Sequence, residues 1–282
     1  SGDLEIDTLG RLNIGNGGRA GIVDVVAGAI VNHGAIVADF IDNYVQPGEI
    51  AGSGSLTKAG TGTLTLSGIS SYTGATVVDG GALLVNGSIA ASSGVTVAAG
   101  ATLGGSGDLP STVIDGGTLS PGNSPGTLTI NGNLTLNPGS TYLVEVQGAI
   151  ADRVNVTGTA SLAGTLRVVP LGGSHRFNTP YTLLSATGGR SGTFDTAIGF
   201  GAGVTTTVSY TATDVLLTLA PKALTSPNPG VNASLNAYAV ATAIDAAVAN
   251  GTDPSSLFGI YNLPAAAIPA AVNSLSGEIH TA

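Results

Sequence analysis

VDGGALL (residues 78–84) is a phrase of two short β-type segments around a glycine turn, and it recurs with variation along the chain. The other copies are VAAGATL (97–103), IDGGTLS (114–120), INGNLTL (130–136) and a looser TKAGTGT (57–63). Successive copies begin 21, 19, 17 and 16 residues apart. A unit of this length cannot bury its own apolar face, so it must stack on its neighbours. The repeat therefore predicts an all-β fold of stacked coils, a β-solenoid.

The composition suits a thin, repetitive core. Gly accounts for 44 of 282 residues, charged residues for 9% and aromatic residues for 4%, with a mean hydropathy of +0.39. Disordered chains are poorer in apolar residues and richer in charge, and collagen needs Gly at every third position. The apolar residues are mostly Val, Leu, Ile and Ala between Thr and Ser, which indicates half-buried strands.

Charge and cysteine content exclude several classes of partner and site. The net charge is −9, and the eight Lys and Arg residues are spread singly, so no basic stripe for nucleic acid is present. Because the chain has no Cys, disulfides and thiolate metal sites are excluded. A secreted chain that crosses a narrow pore unfolded is expected to lack Cys, but many other proteins lack it too. No signal peptide opens the chain at Ser1, and we expect a fragment of something longer.

Three regions are predicted, and residues 1–140 form the first, a stem. β runs occur at 12–15, 22–26 and 29–37, the last with a turn at Asn32 to Gly34. Because parallel strands lie roughly 4.8 Å apart, ten or so rungs would make a rod on the order of 50 Å long.

Residues 141–220 form the second region, a predicted β cap. Longer strands with strict alternation are expected at 142–146, 153–156, 166–169, 181–184 and 208–219. They suggest an antiparallel or sandwich-like unit, which would cover the unpaired strand edges at the end of a solenoid. The predicted buried residues of this cap are Leu143, Val144, Val154, Val156, Leu166 and Val168.

Residues 221–282 form the third region, a Pro-rich linker with an α-helix. Pro221, Pro227 and Pro229 punctuate a polar stretch. A helix is predicted over 231–250 with Gly251 as its stop, and a second short helix over 265–275. The apolar positions at helical spacing are Val231, Leu235, Tyr238, Ala241, Ile244 and Val248.

Three stretches resemble one family when they are taken in order. GSGSLTKAGTGTLTLSG, with the following SYTGATVVDGGALLV, covers residues 52–85 and resembles the passenger-associated repeat of bacterial autotransporters, the type V secretion family. DRVNVTGTASLAGTLRVV (152–169) is similar to the autochaperone region of that family, and LSGEIHTA (275–282) to the segment that opens its β-barrel. The resemblance implies a right-handed parallel β-helix, a C-terminal cap that nucleates folding during secretion, and a helix that threads the barrel pore.

The resemblance also implies partners and a location. The family's β-barrel translocator is missing after Ala282 and would be the main partner, together with the outer-membrane assembly machinery. A host surface receptor is a further expected partner of the whole protein. The expected location is the bacterial cell surface, anchored through the outer membrane, or a secreted form. Residues 231–250, with their small Ala faces, are expected in the pore.

Two motifs suggest chemistry but fit turns better. GNSPG (122–126) matches the G-x-S-x-G nucleophile elbow, yet the elbow needs a helix after it and a strand follows here. The three His residues, at positions 33, 175 and 280, lie in dissimilar regions. GGSGDL (104–109) approaches a calcium-binding repeat, but its Asp is one residue early and no second copy follows. Both are interpreted as structural turns.

Acidic residues offer further candidates. Asp79 and Asp115, two rungs apart, are expected on one solenoid edge roughly 10 Å apart, near the spacing of an inverting carboxylate pair. The intervening rung offers only Ala98, and Asp before Gly-Gly is ordinary turn chemistry. Asp152 and Arg153 are interpreted as a surface or local ion pair.

Asn250-Gly251 is a possible self-cleavage site, but it is interpreted as a helix end. We therefore predict no catalytic, cofactor-binding or metal site, and no cofactor.

The sequence thus predicts a structural module of a secreted passenger and not an enzyme. The alternative is the shaft of a surface adhesin that binds a host protein or glycan. A third class is a β-helix enzyme acting on polysaccharides, which would need acids clustered on adjacent rungs.

Overall fold

The computed structural model describes residues 4–18, 29–226 and 234–276, and short strands dominate the chain up to residue 221. The predicted β run at 22–26, Pro227, Pro229, Val231 and the segment 277–282 lie outside these residues. Strands of the first five coils are β1 (Leu4–Ile6), β2 (Arg11–Gly18), β3 (Ile30–Asn32), β4 (Ala35–Phe40), β5 (Asn43–Gln46), β6 (Ile50–Ala51), β7 (Ser55–Ala59), β8 (Thr63–Leu66), β9 (Thr76–Val78), β10 (Ala82–Val85), β11 (Val95–Val97), β12 (Thr102–Gly105) and β13 (Asp108–Leu109).

The remaining strands continue the same succession. They are β14 (Thr112–Ile114), β15 (Thr118–Pro121), β16 (Thr127–Ile130), β17 (Leu134–Leu136), β18 (Thr141–Gln147), β19 (Ile150–Ala151), β20 (Arg153–Val156), β21 (Ala160–Leu162), β22 (Thr165–Pro170), β23 (Tyr181–Ala186), β24 (Arg190–Gly192), β25 (Asp195–Ile198), β26 (Val204–Tyr210) and β27 (Asp214–Pro221).

Each coil of the chain contributes strands to up to three stacked faces. Face 1 is a nine-stranded sheet in the order β2-β4-β7-β9-β11-β14-β17-β21-β24. Face 2 has the order β25-β22-β18-β15-β12-β10-β8-β5, with β19 paired to β18. Face 3 begins as β1-β3-β6 and ends as β13-β16-β20-β23-β27-β26, and isolated parallel bridges at Ile69–Ser88 and Ser88–Asp108 lie between these parts.

The predicted parallel β-solenoid is confirmed, and in the described part of the chain face 1 has nine coils where about ten were expected. Coils are numbered here by their face 1 strand, from β2 on coil 1 to β24 on coil 9. Eight strand spacings of roughly 4.8 Å give a stack of about 38 Å. The predicted turn at Asn32 to Gly34 joins β3 to β4, which lie on different faces and do not form a hairpin.

The core is a set of columns in which equivalent residues of successive coils stack. On face 2 the register aligns one inward residue from each of six coils, namely Leu64, Leu83, Leu103, Leu119, Tyr142 and Leu166. All six are buried. A slip of one residue would turn the column outward, so burial fixes the register. Burying each such side chain contributes roughly 1.5–3 kcal/mol.

The second glycine of VDGGALL, Gly81, is required by its turn and by its neighbouring coil. Gly81 has φ +59°, and a Cβ built on it would lie 2.2 Å from the Gly62 carbonyl oxygen of the coil below. An L-residue would be strained in this backbone conformation and would also collide with the neighbouring coil. Turn geometry and close coil stacking therefore both select glycine at position 81.

The expected change to antiparallel pairing at residue 141 is wrong for most of the cap. β18 pairs in parallel with β15 and β22, and β22 pairs in parallel with β25. Within the cap, antiparallel pairing is confined to the short β18–β19 contact and to β23, β27 and β26, which close face 3. Strict alternation does not distinguish the two pairings, because side chains alternate between faces in both.

Five of the six residues predicted to be buried in the cap are buried. They are Val144, Val154, Val156, Leu166 and Val168. The prediction that Leu143 is buried is wrong, because this residue is only partly buried and its neighbour Tyr142 points inward.

In the described residues after the strands lie the helices α1 (Leu235–Ala249), α2 (Phe258–Tyr261) and α3 (Ile268–Ser274). Short 3₁₀ turns, Ser255–Leu257 and Ala265–Ala267, precede α2 and α3. The predicted first helix is confirmed over 235–249, where the Ser234 side chain caps the N-terminus and Gly251 (φ +91°) follows the end. The second predicted helix corresponds to the second 3₁₀ turn and α3, whereas α2 was not predicted.

The predicted apolar face of α1 is buried only in part: Ala241 is buried and Ile244 packs partly buried against the core. Ala237 and Ala241 are buried, whereas Leu235 is 90% and Tyr238 51% exposed. Among the described residues, no single helix has the length and apolarity to cross a membrane, although the bent pair 255–261 and 265–274 meets both criteria jointly.

Candidate functional site at the C-terminal end

The aromatic residues of this chain concentrate where the solenoid ends. Four of its five Phe residues, at positions 177, 194, 200 and 258, lie on or after coil 8. Phe177 and Phe258 are buried, and their ring centroids are 5.5 Å apart. The end of a parallel stack has no further coil to cover its core, so bulky rings fill this position.

His175 lies inside this aromatic group. Its ring is buried, with the Phe258 ring centroid 4.4 Å away and the Phe200 centroid 5.5 Å away. Its Nε2 lies 2.9 Å from the Val146 carbonyl oxygen, and its Nδ1 lies 3.2 Å from that of Gly173. His175 thereby joins the end of β18 to the loop before β23.

Two tyrosine hydroxyls connect coils within the cap. Tyr142 on coil 7 donates to the carbonyl of Leu183 on β23, and burial raises the pKa of its phenol. The Tyr181 hydroxyl donates to the Gly148 carbonyl at 2.7 Å and accepts from the Arg176 N–H at 2.8 Å. Each hydroxyl thereby links its own strand to the backbone of another strand or loop of the cap.

Asp152 is a buried acceptor and not a member of a surface ion pair, so that interpretation is wrong. Its side chain is 1% exposed. One carboxylate oxygen accepts from the Gly126 N–H at 2.7 Å, and the other from the Glu145 N–H at 2.8 Å. Burial raises the pKa of Asp152 to about 6, against the lowering effect of these hydrogen bonds. The carboxylate ties the turn after β15 to strand β18.

Residues 255–263, called the strap here, dock on the segment Gly201–Gly203, called the seat. The Gly201 N–H donates to Asn262 Oδ1 at 2.7 Å. The N–H groups of the next two seat residues donate to the carbonyls of Leu263 and Tyr261, at 3.0 and 2.9 Å. The strap therefore pairs with the backbone of the last coil although it is not a strand.

Asp245 holds α1 against the segment after β27. Its carboxylate accepts from the N–H groups of Leu224 and Thr225, at 2.8 and 2.9 Å, and from the Thr225 hydroxyl at 2.7 Å. Because only two small Ala side chains of α1 are buried, these polar contacts are important for its position.

The part of the stem that carries the repeat phrase has buried polar side chains in its interior. Lys58, in β7, has no exposed surface, and its ammonium donates to the carbonyls of Ala59, Gly60 and Gly80. On the next coil the Tyr72 hydroxyl lies 2.7 Å from Thr76 Oγ1, and burial raises its pKa to about 12. These polar groups fill the interior where Ala, Val and Leu fill other coils.

The predicted structural turns are turns in the structure. GNSPG lies between β15 and β16, so a strand follows Ser124 and the geometry of a nucleophile elbow is absent at this turn. GGSGDL joins β12 to β13, where Asp108 is exposed. Among residues 4–18, 29–226 and 234–276, no group of three His, Asp or Glu side chains could hold a metal ion.

Asp79 and Asp115 lie on one edge, as predicted. The register pairs Val78 with Val97 and Val97 with Ile114, so Ala98 stands between the two acids. Both carboxylates are exposed, and Asp115 accepts a hydrogen bond from Asn137 Nδ2 at 2.9 Å. Asn250 ends α1 and Gly251 follows it, which is the predicted helix end. His33 lies near Ser53 and His175 in the cap, so the structure does not bring them together.

Comparison with known proteins identifies the stem repeat. Residues 56–85 match a family model described as the passenger-associated-transport-repeat. This segment runs from β7 to β10, so it contains Lys58 and Tyr72 and spans about one and a half coils.

A curated relative matches a longer part of the chain. The Adhesin BmaC autotransporter of Brucella suis biovar 1 (strain 1330) is 41% identical over 85 residues, which are 28% of this chain and 2% of the relative. The match thus spans a small part of that protein's length. Together, the transport repeat and the autotransporter relative confirm the predicted resemblance of this chain to an autotransporter passenger.

Proposed function

We propose that the chain is the membrane-proximal stem of an autotransporter passenger, a cell-surface stalk whose C-terminal cap nucleates folding during translocation. The continuous column of inward residues from coil 3 to coil 8, ending in a closed aromatic cap, supports this proposal most directly. The proposed division is stem 1–140, cap 141–220 and linker 221–282.

The proposed mechanism is mechanical. Stability in stacked coils is a sum of coil and nearest-neighbour terms, so a new coil gains most when a folded coil is already present. A cap that folds first outside the membrane would offer that surface, and each coil added on it would bias the chain toward outward movement. The cap has the larger aromatic groups and the inter-coil bonds of Tyr142 and Asp152, which support an early role.

The test compares the same truncation in the cap and in the stem of the full chain. Leu183, in β23, and Leu83, in β10, are both fully buried. Residues of a folding nucleus slow refolding when they are truncated, whereas other residues mainly accelerate unfolding. We expect Leu183→Ala to slow the return of β circular dichroism after denaturant dilution, and Leu83→Ala to accelerate unfolding. Equal refolding rates for the two variants would contradict the proposal.

The partners and location follow from the same proposal. The stalk would be displayed at the bacterial cell surface and attached through its own translocator, with the outer-membrane assembly machinery as a transient partner. We propose no enzymatic activity. The two exposed carboxylates that share an edge, Asp79 and Asp115, are separated by Ala98.

A second candidate is an adhesive shaft, which the name of the relative favours. Face 2 carries an outward column of Thr63, Ala82, Thr102, Thr118, Thr141 and Thr165. Every member except Ala82 offers an uncharged hydroxyl group, and neighbouring members of the column lie roughly 4.8 Å apart. If the column binds a host surface, Thr102→Lys with Thr118→Lys should reduce binding of the purified chain to host cells. If binding is unchanged, the role as a stalk is better supported than the role as an adhesive shaft.

A further inference from the structure

The two glycines of the seat allow the strap to approach its backbone closely. A Cβ built on Gly201 would lie 2.1 Å from the Asn262 carbonyl carbon, and one on Gly203 would lie 2.8 Å from the Tyr261 Cα. Neither glycine has a φ in the left-handed region, so the backbone conformation itself would accept other residues. Contact with the strap is therefore the reason that these two positions have no side chain.

The strap also seals the apolar end. Phe258 and Tyr261 are buried, the first against His175 and the second with its ring centroid 5.3 Å from that of Phe177. The Ser255 hydroxyl accepts from the Phe177 N–H at 3.1 Å. Without the strap, these cap residues would lose their cover and Phe177 its hydrogen-bond partner, which costs stability in a buried site.

We propose that the strap is the closing element of the cap, and that the cap becomes an effective folding nucleus only when the strap is docked on the seat. This inference rests on the proposed nucleating role of the cap and adds the segment that completes it. Because the strap follows α1 in the chain, docking requires residues up to 263 to be outside any channel. Coil stacking would then start only after the residues up to 263 have left the channel. The sequence instead leads us to expect residues 231–250 inside a pore.

A pair of glycine substitutions in the full chain tests the inference. Gly201→Ala places a methyl group against the strap, whereas Gly259→Ala adds one on the exposed side of α2, where no atom lies within 4 Å. Docking is measured by hydrogen exchange at the amides of Phe177, Ala202 and Gly203, and nucleation by the refolding rate of β circular dichroism. We expect Gly201→Ala to accelerate exchange and to slow refolding about tenfold. Gly259→Ala should change neither.

Two results would overturn the inference. One is fast exchange in Gly201→Ala with a normal refolding rate, because the strap would then be a passive cover. The other is unchanged exchange, because the seat would then tolerate a side chain. Phe258→Ala provides a second route to an undocked strap and should reproduce the slow refolding. If Gly201→Ala refolds at the normal rate but Leu183→Ala refolds slowly, the cap would still be supported as a nucleus and only the role of the strap would be refuted. The two hypotheses can therefore be distinguished.

Discussion

The ammonium group of Lys58 lies 5.0 Å from the ring centroid of Phe40, in the interior of the solenoid. Phe40 belongs to coil 2 and Lys58 to coil 3, while the Gly80 carbonyl, 3.3 Å from the ammonium, belongs to coil 4. One buried cation thus contacts three successive coils. Burial lowers the pKa of Lys58, and the Asp39 carboxylate opposes that shift.

Replacement of Lys58 should therefore destabilise the stem. Lys58→Ala removes the donor to three partly buried carbonyls and leaves a void beside Phe40, so we expect a loss of about 2–4 kcal/mol in the free energy of unfolding. Lys58→Met keeps most of the packing and should lose less. Urea unfolding of the full chain provides the measurement. The outward neighbour Thr57 is the control, because Thr57→Ala should change stability by less than about 0.5 kcal/mol.

The raised pKa of Asp152 predicts a pH dependence. Since its pKa is about 6 in the folded chain and 3.8 ordinarily, the folded state binds more protons between these values. The free energy of unfolding should then fall as pH rises from about 4 to 6, by at most about 3 kcal/mol. Unfolding curves at several pH values would measure this.

Asp152→Asn should remove this contribution, because the amide does not titrate. It also loses one of the two acceptors for backbone N–H groups, so some destabilisation should appear at low pH. Asp79→Asn removes one exposed negative charge and is the control for net charge. Parallel stability curves for Asp152→Asn and the unaltered chain would contradict the prediction.

The coil register could be predicted from the repeat phrase, but individual cap contacts could not. The phrase correctly aligned Asp79, Ala98 and Asp115 on one edge, because each copy repeats the same turn. In the strand TYLVEV, adjacent residues face opposite sides, so Leu143 and Val144 could not both point inward. The large Tyr142 occupies the inward position because its hydroxyl finds a partner in Leu183.

Long-range polar contacts left no local signal. Asp152 bonds to Gly126, which lies 26 residues earlier in the chain, and nothing near Asp152 in sequence indicates that partner. The four-residue helix α2 is too short to produce a periodic pattern, although its Phe258 fills the centre of the cap. Tertiary packing, and not helix propensity, determines this segment.

Tyr142→Phe tests the bond between coil 7 and β23. The variant keeps the aromatic contact with Phe194, at 5.8 Å between centroids, and removes only the hydroxyl. Because the Leu183 carbonyl is then left buried without that donor, we expect a loss of about 1–2 kcal/mol in the free energy of unfolding. Tyr238, which is half exposed on α1, is the control. A cost for Tyr142→Phe no larger than that for Tyr238→Phe would refute the assignment.

Asp245 should control the local stability of α1. Asp245→Ala leaves the N–H groups of Leu224 and Thr225 without their carboxylate partner, and the Ala-lined face of α1 offers little apolar burial in exchange. We expect hydrogen exchange at these two amides to accelerate by about 10–100-fold, with β circular dichroism unchanged, because opening is local. Thr242, exposed on the same helix, donates its hydroxyl to the Tyr238 carbonyl one turn away, so Thr242→Ala should leave both amides protected. If the two amides exchange at the same rate in both variants, other contacts position α1, and the hydrogen bonds from Asp245 to the segment after β27 do not hold the helix in place.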